Sequence, residues 1–276
     1  MFWAGFDLER PRVVGVLNVT PDSFYDGGRS IDPGRALECA ESLVGEGVDL
    51  IEIGGESTRP GACPVPFDEE RRRVIPVVER VARALAVPIA VDTSQPEIMR
   101  AAHGVGARII NDVRGLRLPG ALDAVSDLKI PVCLMHMQGE PATMQIRPVY
   151  GDVVAEVADY LLERAGTAQA AGVSRDAIAI DPGFGFGKSL EHNLALLRGL
   201  GRFAHLGYPL MVGLSRKSLI GALTGRPVTE RLAGSLAAAA LALQSGARLI
   251  RTHDVAQTQD VIRIWEAARG ASPIAA

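Results

Sequence analysis

Short runs of valine, isoleucine and leucine recur along the chain, each apolar nearly throughout, with segments of helical spacing between them. Eight such runs stand at residues 13–17, 49–53, 89–91, 108–110, 132–135, 178–180, 210–212 and 248–250. A strand that is apolar on both of its alternating faces is what a parallel sheet demands when helices cover both sides. The segments between the runs carry recognisable helix ends. Asp32 and Pro33 suit the N-cap and first-turn positions ahead of Ala36, Leu37, Ala40, Leu43 and Val44 at helical spacing. Ser189 reads as the N-cap of a helix through Leu190, Leu194 and Leu197. A long helix is predicted over 153–171, stopped by Gly172 as its C′ residue. A helix over 69–86 contains Pro76 and is expected to kink or split there. Thr229 is expected to cap a helix with a smooth face of Leu232, Leu236, Ala239, Ala240 and Leu243, and Asp254 to cap the last one. That alanine-rich face permits close helix contact, either within a barrel wall or across a dimer.

No linker, low-complexity tract or internal repeat interrupts these β-then-α units. They predict an α/β fold, a single (β/α)8 TIM barrel over 1–276 with its core at about 13–269, in preference to a doubly wound open sheet. Such a barrel makes a demand on the sequence: functional groups belong where strands end. The residues that follow the eight runs are Asn18, the loop 54–60, Asp92, Asn111 and Asp112, His136, Asp181, the segment 215–218, and Arg251, Thr252 and His253. All are polar or turn-forming, whereas the run starts are plain. The first two connections, 18–31 and 54–66, are long and rich in Gly, Pro, Ser and Asp, as lids and binding loops are.

The stretch 177–188 (Ala-Ile-Ala-Ile-Asp-Pro-Gly-Phe-Gly-Phe-Gly-Lys) concentrates the same logic. A buried strand delivers Asp181, Pro182 ends the ladder, and the glycines let backbone pass close to a bulky neighbour. Gly187-Lys188-Ser189 resembles the end of a phosphate loop. That motif requires a glycine where Pro182 stands, which argues against nucleotide binding.

Composition narrows the class. The formal net charge of -3 supplies no global attraction to nucleic acid or an anionic membrane, so an anionic ligand must be held locally. Cys39, Cys63 and Cys133 show no Cys-x-x-Cys spacing, which argues for a reducing compartment and against a disulfide framework or zinc site. Residues 1–12 contain Asp7 and Glu9 and do not read as a secretory signal, and the apolar segment 236–243 is far too short to span a bilayer. The expected location is cytoplasmic.

No His-x-His follows the first run, and Gly213-Leu214-Ser215-Arg216 is no nucleophile elbow, which disfavours a dinuclear metallohydrolase and a serine hydrolase. What remains is a set of cations suited to phosphate (Arg59, Lys217, Arg251, His253). Beside them stand groups suited to hydrogen-bonding a polar heterocycle (Asp92, Asn111, Asp181). The inferred ligand is flat, donor-rich and phosphorylated.

These residues carry a resemblance. Asn18-Val19-Thr20-Pro21-Asp22-Ser23-Phe24, residues 52–61 (Glu-Ile-Gly-Gly-Glu-Ser-Thr-Arg-Pro-Gly), Val91-Asp92-Thr93, Asn111-Asp112, 135–139, 181–188, 215–218 and Arg251-Thr252-His253 resemble, in order and spacing, the motif set of the dihydropteroate synthase family. The match runs from about 13 to 269, leaving the N-terminal dozen residues and the tail after Gly270 as peripheral. The resemblance implies joining of (7,8-dihydropterin-6-yl)methyl diphosphate to 4-aminobenzoate by an SN1-like path. It implies Mg2+, small-molecule substrates with no nucleic acid or membrane partner, and a homodimer. Carried over residue by residue, Asp92, Asn111, Asp181, Lys217 and Thr58 would bind the pterin. Asn18, Thr58, Arg59, Arg251 and His253 would hold the pyrophosphate, with Asn18 offering an oxygen to the metal. Phe24, Thr58, Pro60, Phe186, Lys217 and Ser218 would form the aminobenzoate slot, and Asp26 would meet Arg59 above the intermediate. Asp92, Lys217, Asp26 and Arg59 are thus the expected catalytic set. Asp112 and His136 read as groups tying loops within the barrel mouth; Arg216 fits a solvated charge or a site residue equally well. A pterin-dependent methyltransferase or a non-catalytic pterin binder would not need the whole set.

Overall fold

Every apolar run becomes a parallel strand of one sheet in the computed structural model, which describes residues 1–20, 32–56 and 65–270. The strands are β1 (Arg12–Asn18), β2 (Leu50–Gly54), β3 (Ile89–Asp92), β4 (Ile109–Asp112), β5 (Val132–Met135), β6 (Ile178–Asp181), β7 (Met211–Gly213) and β8 (Leu249–Thr252). Their order is β6-β5-β4-β3-β2-β1-β8-β7. The remaining edge closes through a parallel bridge between Ile180 and Leu210, where the Ile180 amide donates to Pro209 O at 2.9 Å. Helices alternate with the strands: α1 (Pro33–Gly45), α2 (Phe67–Ala84), α3 (Pro96–Gly104), α4 (Ala121–Leu128), α5 (Val153–Ala170), α6 (Leu190–Arg198), α7 (Leu200–Ala204), α8 (Ser218–Thr224), α9 (Leu232–Gln244) and α10 (Val255–Ala268). This is the (β/α)8 barrel. Several strands run one residue further than their apolar runs and take in the polar residue at the end, because the ladder continues through it: Met135 pairs with Asp181, and Asp92 with Asn111.

Alternation along each strand sorts the core into two shells. Outward residues such as Val13, Ile51, Val91, Ile110 and Ile180 pack under the helices. Inward residues Val14, Leu50, Ala90, Ile109, Cys133, Ala179, Met211 and Leu249 fill the lower barrel. Residues 1–12 are not peripheral, contrary to expectation. Phe2–Trp3 and Phe6–Asp7 form an antiparallel hairpin that drives Trp3 and Leu8 into this inward cluster. Trp3 is 1% exposed, and its indole Nε1 donates to Ala177 O at 3.1 Å.

Other expectations meet mixed outcomes. Asp32 caps α1 by accepting from the Gly34 amide, and Ser189 and His192 form a reciprocal capping box on α6. Gly172 follows α5 with φ +101°. Helix α2 runs continuously through Pro76 rather than splitting. Thr229 lies in a 3-10 turn (Val228–Glu230) and does not cap α9; Arg231 takes that position, its guanidinium donating to Arg216 O at 3.1 Å and Arg226 O at 3.0 Å. Asp254 stands at the α10 N-cap but makes no capping bond, because its carboxylate accepts from Arg216 instead. Of the predicted α9 face, Ala239 and Leu243 are buried in the wall while Leu232 points outward, so this helix is apolar on both sides. Among the described residues no helix is long and apolar enough to cross a membrane.

Candidate active site

At the next inward position beyond the apolar layer the chemistry changes in five of the strands. Leu50 is followed at the next inward position by Glu52, Ala90 by Asp92, Ile109 by Asn111, Ala179 by Asp181 and Leu249 by Arg251. A period of two fixes this direction: if the lower residue points into the barrel, so does the residue two further on. Five strands therefore raise a ring of ionisable and amide groups directly over a greasy floor, at the C-terminal mouth.

Arg251 organises the ring. Its guanidinium hydrogen-bonds Glu52 Oε1 and lies 3.4 Å from Asp92 Oδ2. Two buried carboxylates thus share one cation. Burial works against the Arg251 charge, but Glu52 and Asp92 outweigh it and raise its pKa. Burial, then Glu52, push Asp92 well above the usual carboxylate range, with Arg251 only partly opposing them. Asp181 is also pushed up by burial, opposed by the Gly183 amide, which donates to its Oδ1 at 2.7 Å. Asn111 Oδ1 and Glu52 Oε2 are buried with no hydrogen-bond partner among the described residues, which leaves both as acceptors for a ligand.

Lys217 reaches the ring from the loop after β7. Its Nζ donates to Phe184 O at 2.8 Å and sits 4.3 Å from the centroid of the Phe186 ring. Burial, then Arg251, lower its pKa to about 8. Phe186 is itself buried on Val113, Met135, Met137 and Met144. His253 departs from its expected cationic part. The surrounding protein, Arg251 and Arg216 hold its pKa below the usual histidine range, while its Nδ1 meets Ser215 Oγ at 3.1 Å. It offers a neutral imidazole to the mouth. Ser218 is the first residue of α8 and is exposed.

Asn18 ends β1 opposite Gly54, which pairs in turn with Asp92. A Cβ placed on Gly54 would come within 3.5 Å of Asp92 Cβ and 3.9 Å of Asn18 Oδ1, so these groups crowd one point of the rim. Among the described residues no three His, Cys, Asp or Glu side chains cluster as a metal cage. A single amide oxygen fits Mg2+, which characteristically keeps water and substrate phosphate oxygens as its other ligands.

Of the expected site residues, Asn18, Asp92, Asn111, Asp181, Phe186, Lys217, Ser218, Arg251 and His253 therefore lie at the same mouth. Phe24, Asp26, Thr58, Arg59 and Pro60 fall outside the described residues. Asp112 ties its loop: it accepts from Ser94, from the Arg114 amide at 2.8 Å and from the Leu116 amide at 2.7 Å. Arg216 pairs with Asp254.

Three participants escaped the sequence reading. Glu52 sits inside an apolar run, although its spacing from Leu50 marks it as inward. Arg114 links Glu140 at 2.9 Å, Ser94 at 3.2 Å and Glu56 at 3.5 Å, joining the feet of three loops. Lys188 is 3% exposed and places its Nζ 2.9 Å from His136 Nδ1, 2.9 Å from Gly183 O and 3.0 Å from Phe186 O. Burial, then Lys188, lower the His136 pKa to about 2, and burial lowers that of Lys188.

Residues 14–253 match the family described as pterin binding enzyme. The dihydropteroate synthase of Escherichia coli K12 is 51% identical over 265 residues, 96% of this chain and 94% of that one. The structure of Xanthomonas albilineans dihydropteroate synthase with 4-aminobenzoic acid superposes with a TM-score of 0.91 at 53% identity, covering 97% and 96% of the two chains. The same enzyme in complex with 7,8-dihydropteroate gives 0.88 at 51% identity, with 97% of each chain covered.

Proposed function

The chain belongs to the pterin binding enzyme family and its activity is that of a dihydropteroate synthase, and from that premise we propose how its residues share the reaction. The enzyme transfers a dihydropterin-methyl group from its diphosphate to the amine of 4-aminobenzoate, releasing pyrophosphate and forming 7,8-dihydropteroate. The ring of Asp92, Asn111, Asp181, Lys217 and Arg251 over an apolar floor is the observation that carries the assignment of roles.

Asp181 keeps one oxygen on the Gly183 amide and turns the other to the adjacent N–H donors of the pterin edge. Asn111 Oδ1 takes a further donor, and each such buried bond is worth about 1 to 3 kcal/mol. Lys217 and Thr58 complete the pterin contacts. Pyrophosphate departs with the electron pair of the C–O bond, leaving a methylene cation conjugated with the pterin. Asp92 stabilises that charge, an electrostatic effect worth about 3 kcal/mol in comparable sites. The aniline nitrogen then gives its lone pair to the new C–N bond and loses a proton.

Asn18, Arg251, His253, Thr58 and Arg59 receive the pyrophosphate, whose negative charge favours protonation of His253. Mg2+, held by Asn18 together with substrate oxygens, would neutralise the leaving group. Phe24, Thr58, Pro60, Phe186, Lys217 and Ser218 form the aminobenzoate slot, and Asp26 and Arg59 close over the intermediate. We place the enzyme in the cytoplasm as one pterin-binding barrel over 1–276, working as a homodimer through the outward apolar face of α9.

Pyrophosphate should appear only when both substrates and Mg2+ are present, read by a coupled phosphate assay. Release without 4-aminobenzoate would indicate hydrolysis, and undiminished turnover in excess chelator would remove the metal from the scheme.

A further inference from the structure

On the reading that this site transfers a pterin-methyl group to 4-aminobenzoate, we propose that Lys188 and His136 form a buried clasp that positions the 183–186 loop. Through that loop they set Lys217 and Phe186 against the amine substrate. Neither residue touches the mouth directly; they are positioning residues.

The geometry runs in a chain. Gly183, Gly185 and Gly187 all have positive φ, between +62° and +81°, and the turns they make bring the carbonyls of Gly183 and Phe186 to face inward together. Buried carbonyls need partners. Lys188 Nζ donates to both, Gly183 O also accepting from the Phe186 amide at 3.1 Å, and its third contact is His136 Nδ1. Among the described residues no carboxylate bonds Lys188 Nζ, so this buried side chain is kept here by three directional contacts rather than by an ion pair. Of the two carbonyls between them, Gly185 O accepts from Gln145 and Phe184 O receives Lys217 Nζ at 2.8 Å. The loop thus hands carbonyls to two lysines: one locks the loop, and the other is the cation of the mouth, stacked on Phe186.

His136 anchors the inner end. Its amide donates to Asp181 O at 3.0 Å, and its ring meets Tyr160 edge-on at 4.8 Å. The loop passes so close to this support that only glycine fits there: a Cβ on Gly183 would lie 2.0 Å from His136 O. Asp181 is carried by the β5–β6 ladder, and of the bonds to its carboxylate only the Gly183 amide comes from the loop. Loss of the clasp should therefore fall unequally on the two substrates: the aminobenzoate side, which uses both Lys217 and Phe186, loosens much more than the pterin side, where the strand-borne Asp92, Asn111 and Asp181 remain.

The test is two-substrate steady-state kinetics with thermal unfolding on the full chain. The parent must first form dihydropteroate and pyrophosphate from both substrates; if it does not, the functional reading fails. In Lys188→Met the KM for 4-aminobenzoate should rise about tenfold or more, the equivalent of one buried bond, with the KM for the pterin diphosphate moving much less. His136→Phe should reproduce that split. His136→Asn, whose amide can donate or accept near the Nδ1 position, should keep the parental KM values. A merely structural role would lower the unfolding temperature with neither KM moved, and that result, or an equal rise of both KM values, overturns the clasp. Should Lys188→Met fail to fold, the two His136 variants decide: parental kinetics in His136→Phe overturns the proposal.

Discussion

Glu70 is a carboxyl with an ionisation problem. It lies on α2 beneath the foot of the second long loop, where a Cβ on Gly55 would come within 3.2 Å of its Cγ, and its Oε1 has no hydrogen-bond partner among the described residues. Burial raises its pKa from 4.5 to about 7, with Thr93 only partly opposing and Glu56 adding to the rise. The folded protein therefore binds this proton more tightly than the unfolded chain does. Stability falls as pH climbs from 4.5 to about 7, and the whole penalty, on the order of 3 kcal/mol, is present above that window. Glu70→Gln should become more stable relative to the parent across that range, measured by urea denaturation at stepped pH. Parallel curves for the two proteins would refute the assignment. Residue chemistry of this kind was only partly legible. Asp92, Asn111 and Asp181 stand out because each is the first polar residue after an apolar run. Glu52 and Glu70 do not, since an acid within an apolar run or a charged helix gives no sign of being desolvated until the fold surrounds it. Lys188 follows a glycine loop and resembles the lysine that ends a phosphate loop; that its amine turns back on its own loop is a tertiary fact.

Elements were easier to read than their caps. A parallel strand is specified by local apolarity, so all eight emerged. The start of α9 was missed because Arg231, reaching to the carbonyls of Arg216 and Arg226, fixes the approach where a local capping rule favoured Thr229. The same helix shows why its apolar face was ambiguous. Ser235, Ala238, Ala239, Ala242 and Leu243 are buried in the wall, while Leu241 remains on the outer side, 55% exposed. Two apolar faces on one helix need two partners, and the barrel supplies one. A second copy of the chain is the occupant we assign to the other. The parent should sediment at twice its 29.2 kDa mass, and Leu241→Arg, which desolvates a charge at that face, should shift the population to monomer. A monomeric parent at micromolar concentration would discard the dimer.

Over the whole molecule, the barrel separates what holds it together from what it does. Trp3 and Leu8 close the lower end, eight inward apolar residues form the layer above, and the ionisable ring lies above that. The N-terminal hairpin looked peripheral in the sequence because its partner surface, the inside of the barrel, exists only once eight distant segments have met. Trp3 has 1% of its surface exposed, and truncating a large aromatic in such a site leaves a cavity that the rigid strands cannot fill. Trp3→Ala should therefore destabilise the fold by about 3 to 5 kcal/mol, measured by chemical denaturation. Both KM values should stay at parental levels below the new unfolding transition. The two readouts discriminate, because an intervening apolar layer transmits little to a ring whose geometry is set by its own ion pairs and by strand register. If either KM rose in step with the loss of stability, floor and mouth would be mechanically coupled, and the layered account of this barrel would be wrong.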